Sequence, residues 1–248
     1  MSESRRMGEK GRGVFREIFG EMPLPSKTGV FDTSYETYWE ERESTGIIPE
    51  PARRRARGIL PFISAGDTVL DIGCGTGETL EVIRQATGIE GTGLDVSDRA
   101  LSSVASKGFA TLSIDLTAEG ASVPSVFDHI VMFEVIEHIA DAETMLSKLQ
   151  GRFRKNLFIT TPNLGYIAHR LRMLFGRFPV TYMLDPREHV RYWTTRDFRV
   201  WLSWLGYTDV NVLGLRGKPA FLRLYKAFPS LWASEVLYVV RPAGVEME

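Results

Sequence analysis

The sequence of 248 residues predicts an α/β fold of the doubly wound, Rossmann-like kind, with a seven-strand sheet that is mostly parallel and carries an antiparallel edge strand. Three observations point there. From residue 66 onward, short apolar runs alternate with amphipathic stretches at the spacing of β–α units. The run H-I-V-M-F at 129–133 is apolar almost throughout, as expected of a parallel strand covered on both faces. The stretch V-L-D-I-G-C-G-T-G at 69–77 ends an apolar run in Asp71 and follows it with Gly73, Gly75 and Gly77. Glycines lack Cβ, so a chain built this way turns tightly and brings its N–H groups against a ligand.

The elements follow from pattern and punctuation. Strands are predicted over 68–72, 90–95, 110–114, 129–133 and 156–160, with two more near 208–215 and 235–241. Helices are predicted over 52–63, 77–86, 98–106 and 141–153. T-T-R-D-F-R-V-W-L-S-W-L-G is an amphipathic helix with a Thr near its start, Asp197 in its first turn and Gly206 at its end. Segment 163–193 interrupts the alternation and is too apolar for a linker, which predicts a helical insertion over the carboxyl edge of the sheet. Residues 1–13 are polar and glycine-rich and read as a disordered tail. Residues 14–65 read as an N-terminal helical lid, and 66–248 as the main domain. The charge run Arg53–Arg57 reads as a solvated helix face.

Bulk properties narrow the classes. A hydrophobic content of 44% with 25% charged residues describes an ordinary globular domain. The net charge of −1 gives no global pull toward nucleic acid, so a small-molecule partner is expected instead. Cys74 is the one cysteine, which excludes an intrachain disulfide framework and a multi-cysteine zinc site. The N-terminus lacks the apolar core of a secretory signal, and no apolar run approaches the ~18 residues of a membrane span. A cytoplasmic protein is the expectation.

The glycine stretch departs from the dinucleotide fingerprint, because its third glycine comes one residue early and Asp71 precedes the first. That suits a ligand without pyrophosphate, gripped at an amino-acid end by backbone and carboxylate. V-L-D-I-G-C-G-T-G resembles the first motif of class I S-adenosylmethionine-dependent methyltransferases. G-T-G-L-D-V-S, S-I-D-L-T, F-D-H-I-V-M-F-E-V-I-E-H-I and I-T-T-P-N then fall where that family's later motifs fall. The resemblance implies that Asp71, Gly73, Cys74, Gly75 and Gly77 hold the methionine end of the cofactor. It also implies that Asp95 with Val96 meets the ribose side, and that Asp115, Leu116 and Phe133 lie around the adenine and the cleft. Cys74 reads as a packing residue whose backbone N–H, not its thiol, serves the ligand, since no cation lies beside it in sequence. Singly, the glycines could form a structural turn, and Asp95 or Asp115 could cap a helix.

E-V-I-E-H at 134–138 raises a second question. A helix beginning near Glu134 places Glu134, Glu137 and His138 at i, i+3 and i+4 on one face. His189, in D-P-R-E-H-V-R-Y-W, completes a set of oxygen and nitrogen donors suited to Mg²⁺, Mn²⁺, Fe²⁺ or Zn²⁺. The constellation resembles the metal site of small-RNA 3′-end ribose methyltransferases and the matching motif of ubiquinone-biosynthesis O-methyltransferases. The bland alternative is an acidic helix start that needs no ion. His129 and His169 read as structural.

P-N-L-G and G-R-F-P-V resemble the methionine-biosynthesis W family, which lacks E-V-I-E-H. The resemblance to the wider fold makes the insertion the acceptor pocket, with Arg170, Arg172 and Arg177 facing an anionic group and Phe175, Phe178 and Tyr182 as walls; core aromatics and exposed arginines are the alternative. Tyr35, Tyr38 and Trp39 are candidates to close over the cofactor. The expected activity is O-methylation of a small metabolite, sugar or lipid-linked intermediate, with or without a divalent cation. The alternatives are a non-turnover, cofactor-binding partner of a homoserine acyltransferase and an RNA 3′-end ribose methyltransferase.

Overall fold

In the computed structural model, Ile18, residues 49–179 and residues 189–242 are described. Seven strands form one sheet in the order β3-β2-β1-β4-β5-β7-β6. They are β1 (Thr68–Ile72), β2 (Glu90–Asp95), β3 (Ala110–Ser113), β4 (Phe127–Phe133), β5 (Phe153–Pro162), β6 (Val210–Arg216) and β7 (Glu235–Val240). The first five are mutually parallel, and β7 is antiparallel to both β5 and β6. The antiparallel strand therefore lies one place inside the edge. The helices that lie wholly within the described residues are α1 (Glu50–Ile59), α2 (Glu78–Thr87), α3 (Asp98–Ser106), α4 (Ala142–Ser147), α5 (Ile167–Leu174), α6 (Thr195–Trp204), α7 (Leu224–Ala227) and α8 (Pro229–Trp232).

Alternate side chains of the central strands feed two cores. Leu70, Ile130, Met132, Leu157 and Ile159 pack with Met145 and Leu146 of α4 and with Phe198 and Leu202 of α6. Val69, Val131 and Phe158 pack on the other face with Ala56, Ile59, Leu80, Ile83 and Val104 from α1 to α3. This period of two is what a strand buried on both faces requires. Helix α1 is thus part of the core at its inner face. Of the expected lid, Ile18 and residues 49–65 are described, the latter closing with a 3₁₀ turn at Leu60–Phe62 after α1; Tyr35, Tyr38, Trp39 and Tyr182 lie outside the described residues. No helix among the described residues is long and apolar enough to cross a membrane.

Two local expectations change. The helix expected over 141–153 stops at Ser147, because Gly151 takes a left-handed turn at φ +70° and Phe153 already starts β5. The arginine run is not simply solvated: Arg54 and Arg55 both pair with the buried Glu235, at 2.5 and 2.6 Å, while Arg57 stays exposed. His129 is structural as expected. It is fully buried, receives the Asn156 Nδ2 at Nδ1 (3.3 Å), faces Asp67 Oδ2 at 2.9 Å through Nε2 and stacks on Phe158. His169 reaches the Asn163 carbonyl at 3.0 Å.

Asn163 accounts for the P-N-L-G stretch. Its Nδ2 donates to the carbonyls of Ser230 (3.2 Å) and Ala233 (2.8 Å), with that of Pro229 at 3.4 Å, and its Oδ1 accepts the Gly165 N–H at 2.8 Å. One buried amide thus ties the end of β5 to the chain entering β7. Orphaning buried partners costs about 1–3 kcal/mol per group. Asn163→Ala is expected to lower the unfolding free energy by about 2–4 kcal/mol. Asn163→Asp, which cannot donate, should not restore it. A denaturant titration with an unchanged midpoint would contradict this role.

Candidate active site

The strand order reverses at β1, whose neighbours β2 and β4 lead to opposite halves of the sheet. In open α/β sheets the crevice beyond the carboxyl ends at such a point is where ligands bind. Both sequence motifs arrive there, since Asp71 pairs in register with Val131 and each strand ends one or two residues later. Gly73, Gly75 and Gly77 have φ of +67°, +52° and +85°, which only glycine adopts without strain. A Cβ on Gly73 would lie 2.5 Å from Cγ2 of Val135, inside E-V-I-E-H. The two motifs are therefore in contact, and the first glycine is what lets them touch.

Acidic groups gather beneath the loop. Asp71 is buried, and burial, then Glu78 and Asp95, push its carboxyl well above the usual range. Asp95 is buried at the tip of β2, where it accepts the Gly75 N–H and the Ser97 N–H, both at 3.0 Å. Among the described residues no ion pair neutralises Asp71, Glu78 or Asp95. A cationic ligand group is the natural complement. Val96 is 51% exposed beside Asp95, Leu116 is buried, and Phe133 is half-buried at the end of β4. Asp115 is exposed at the tip of β3 and accepts both the N–H and the hydroxyl of Thr117, which lowers its pKa. Cys74 packs on the β2 side, where a Cβ on Gly93 would meet its Sγ at 2.7 Å. Burial, with Asp71 and Asp95, pushes its thiol far up, so it is no nucleophile. Its N–H, expected to serve a ligand, instead donates to the Leu94 carbonyl at 3.2 Å.

E-V-I-E-H does not form the expected α-helical face. Glu134 has φ +54° and precedes a single 3₁₀ turn, Ile136–His138. The left-handed residue turns the Glu134 side chain to Thr160, whose hydroxyl donates to it at 2.9 Å, and to Arg55 at 3.4 Å. Glu134 thus falls outside the donor cluster expected for it. Burial raises its pKa against the opposing pull of Arg55. The cluster that does form is Glu137, His138 and His189, with donor atoms within 4.8 Å of one another. The two imidazoles meet edge to face at 4.7 Å between centroids. Glu137 is 1% exposed, and neither carboxylate oxygen has a hydrogen-bond partner among the described residues. Burial and then Glu134 hold its carboxyl well above the ordinary range.

The residues that position this cluster escaped the sequence reading. The Glu137 carbonyl accepts the N–H groups of Val190 (2.9 Å) and Arg191 (3.1 Å), which docks the His189 segment on the 3₁₀ turn. Arg191 then grips Glu143 through two nitrogens at 2.6 and 2.5 Å, and the Trp201 indole N–H donates to the same carboxylate at 2.7 Å. The Arg191 hydrogen bonds are the main reason the Glu143 carboxyl is pushed down to about 2. The only sequence signal was a cation two residues past His189. Of the insertion arginines, Arg170 and Arg177 are exposed, as the alternative has it, and Arg172 is buried. Arg172 donates to the Phe178 and Ile18 carbonyls; Arg170 Nε donates to the Gly165 carbonyl at 2.6 Å. Phe175 is exposed and Phe178 meets Tyr192.

A switch-point crevice with a glycine loop, buried acids and a carboxylate–imidazole cluster is where an α/β enzyme of this topology binds a small ligand. The comparisons agree. Residues 38–212 match the family model described as a methyltransferase domain. The chain belongs to that family and is an S-adenosylmethionine-dependent methyltransferase. It is 29% identical over 201 residues to a ubiquinone biosynthesis O-methyltransferase of Stutzerimonas stutzeri, covering 76% of this chain and 85% of the relative. It is 27% identical over 117 residues to a bifunctional methionine biosynthesis protein MetXA/MetW of Rhodopirellula baltica, covering 44% of this chain. The matched part spans only 19% of that fused protein's length. Among solved structures, a SAM dependent methyltransferase from Archaeoglobus fulgidus superposes with a TM-score of 0.59 at 18% identity, over 84% of this chain and all of that one.

The contact between the loop and Val135 gives a test. Gly73→Ala introduces backbone strain of about 1–3 kcal/mol as well as the clash, and is expected to weaken S-adenosylhomocysteine binding about tenfold or more. Adding Val135→Ala should recover the steric share alone. Calorimetric affinities that match wild type in the single variant would contradict the arrangement.

Proposed function

We propose that the chain methylates an oxygen of a small metabolite, sugar or lipid-linked acceptor. Asp71 and the glycine loop hold the methionine end, and Asp95 the ribose. Val96, Leu116 and Asp115 border the adenine, with Phe133 lining the cleft. The ligand suits these residues, because three left-handed glycines leave backbone space, and a cation beside Asp71, Glu78 and Asp95 would favour the charged form of Asp71 that burial and its acidic neighbours oppose. When bound, S-adenosylmethionine supplies an electrophilic methyl group, so the chain's task is chiefly alignment and the handling of one proton.

One observation carries the acceptor chemistry. Glu137 is buried without a hydrogen-bond partner among the described residues, beside His138 and His189 and next to the loop through Val135. A hydroxyl is a poor nucleophile until it loses its proton, and an imidazole at the crevice can take it. The three donors also suit a divalent ion such as Mn²⁺ or Zn²⁺, which would lower the pKa of a bound hydroxyl. Glu134, held by Thr160 and Arg55, shapes the turn that presents the cluster. The relatives named as O-methyltransferases support an oxygen acceptor.

The test incubates the full chain with methyl-labelled S-adenosylmethionine and a panel of phenolic and sugar hydroxyls, with Mn²⁺, with Mg²⁺ and with chelator. Label should appear as a methyl ether on one of these hydroxyl oxygens, with release of S-adenosylhomocysteine and a proton. Glu137→Gln and His189→Ala should each lower turnover about 100-fold or more, while cofactor affinity changes by less than about threefold. Turnover that survives both substitutions would sink the assignment, and label found only on nitrogen would move the acceptor class.

A further inference from the structure

Residues 217–234 leave β6 and enter β7 at the same sheet edge as the active-site crevice, because β7 begins opposite Pro162 at the end of β5. The inner side of this segment is fixed. A Cβ on Gly214 would lie 1.9 Å from the Tyr225 carbonyl oxygen, and one on Gly217 1.9 Å from that of Trp232. Only glycine admits so close a backbone, and Asn163 holds the far end through the carbonyls of Ser230 and Ala233. The outer side is another matter. Phe221, Leu222 and Phe228 are 63%, 53% and 61% exposed, and an open, largely apolar groove of about 540 Å³ runs along residues 227–232.

Charge separates this strip from the rest of the chain. No Asp or Glu occurs between Asp209 and Glu235, whereas Arg216, Lys218, Arg223 and Lys226 all do, in a protein of net charge −1. Arg223 and Lys226 are exposed between the apolar side chains. Large apolar groups held outward among cations, in a stretch of sequence without an acid, complement one surface best: acyl chains beneath anionic headgroups. We infer that this strip docks the protein on a membrane surface bearing anionic lipid. Phe221, Leu222 and Phe228 enter the headgroup boundary, while Arg223 and Lys226 reach the phosphates along their aliphatic stems. The strip ends at Glu235, which pairs with Arg55, which in turn reaches Glu134. Docking there sets the crevice beside the bilayer, whatever the acceptor.

The experiment floats the full chain with vesicles of phosphatidylcholine alone and with vesicles also containing phosphatidylglycerol, at low and high salt. Binding is expected to the mixed vesicles, to weaken with salt and to be at least about tenfold poorer on neutral ones. Phe221→Ser/Leu222→Ser/Phe228→Ser should lower partition about tenfold or more, and Arg223→Glu/Lys226→Glu about 30-fold or more. Trp204→Ser, which removes a 78% exposed aromatic on α6, should leave it unchanged. Because all these side chains face outward, the variants should keep wild-type unfolding midpoints and S-adenosylhomocysteine affinity, so loss of flotation reads docking alone. Absence of flotation, equal flotation on both vesicles, or a triple variant that floats like wild type overturns the inference. A dimer that the triple variant dissociates, with no flotation, assigns the strip to a second copy and overturns it too.

Discussion

The structure depends on one close approach. β1 and β4 are neighbours at the point where strand order reverses, so the chain leaving each must share one crevice. That is possible because Gly73 carries no side chain where Val135 stands. Any larger residue would drive the cofactor loop and the E-V-I-E-H turn apart. Each motif would then survive alone, with no common site between them. The left-handed glycines and the left-handed Glu134 are two halves of this constraint, each bending its strand's exit toward the other.

Around that contact the charges fall into two zones. On the loop side, Asp71, Glu78 and Asp95 form an acidic floor with no counter-ion among the described residues, a setting that a cationic ligand group would satisfy. On the acceptor side, the acidic groups are handled unequally. Glu134 is tied to Thr160 and Arg55, and Arg55 is shared with Glu235. Burial alone would lower the Arg55 pKa, but Glu134 and Glu235 outweigh it and hold the guanidinium above its ordinary value. Among the described residues Glu137 receives no such partner. A buried carboxylate beside two imidazoles is costly in a purely structural turn, which is the ground for proposing a functional role for it.

Much of this was legible from residue order. Parallel strands buried on both faces read as apolar runs, and the acids at their tips read as tips because glycine or helix-forming residues follow. Hence β1, β2, β4 and α3 fall almost where expected. The donor cluster was legible only in part. Helical spacing put Glu134 with Glu137 and His138, but a single residue in left-handed conformation replaces that face by a 3₁₀ turn, and nothing local in E-V-I-E-H announces it. Contacts across long separations were invisible for the same reason. Arg54 and Arg55 look like a solvated face until Glu235, some 180 residues later, is brought under them. The Arg191–Glu143–Trp201 clamp likewise joins three elements that only the folded sheet assembles.

The central claim is that a sulfonium cosubstrate lies across the carboxyl ends of β1 to β3 with its reactive end turned toward β4. A crystal structure of the full chain grown with S-adenosylhomocysteine tests it most directly. The account requires density for the homocysteine end along Gly73–Gly77, ribose hydroxyls at Asp95, and the sulfur facing Glu137, His138 and His189. Density for the ligand on another face of the sheet, or a sulfur turned away from that cluster, would contradict it.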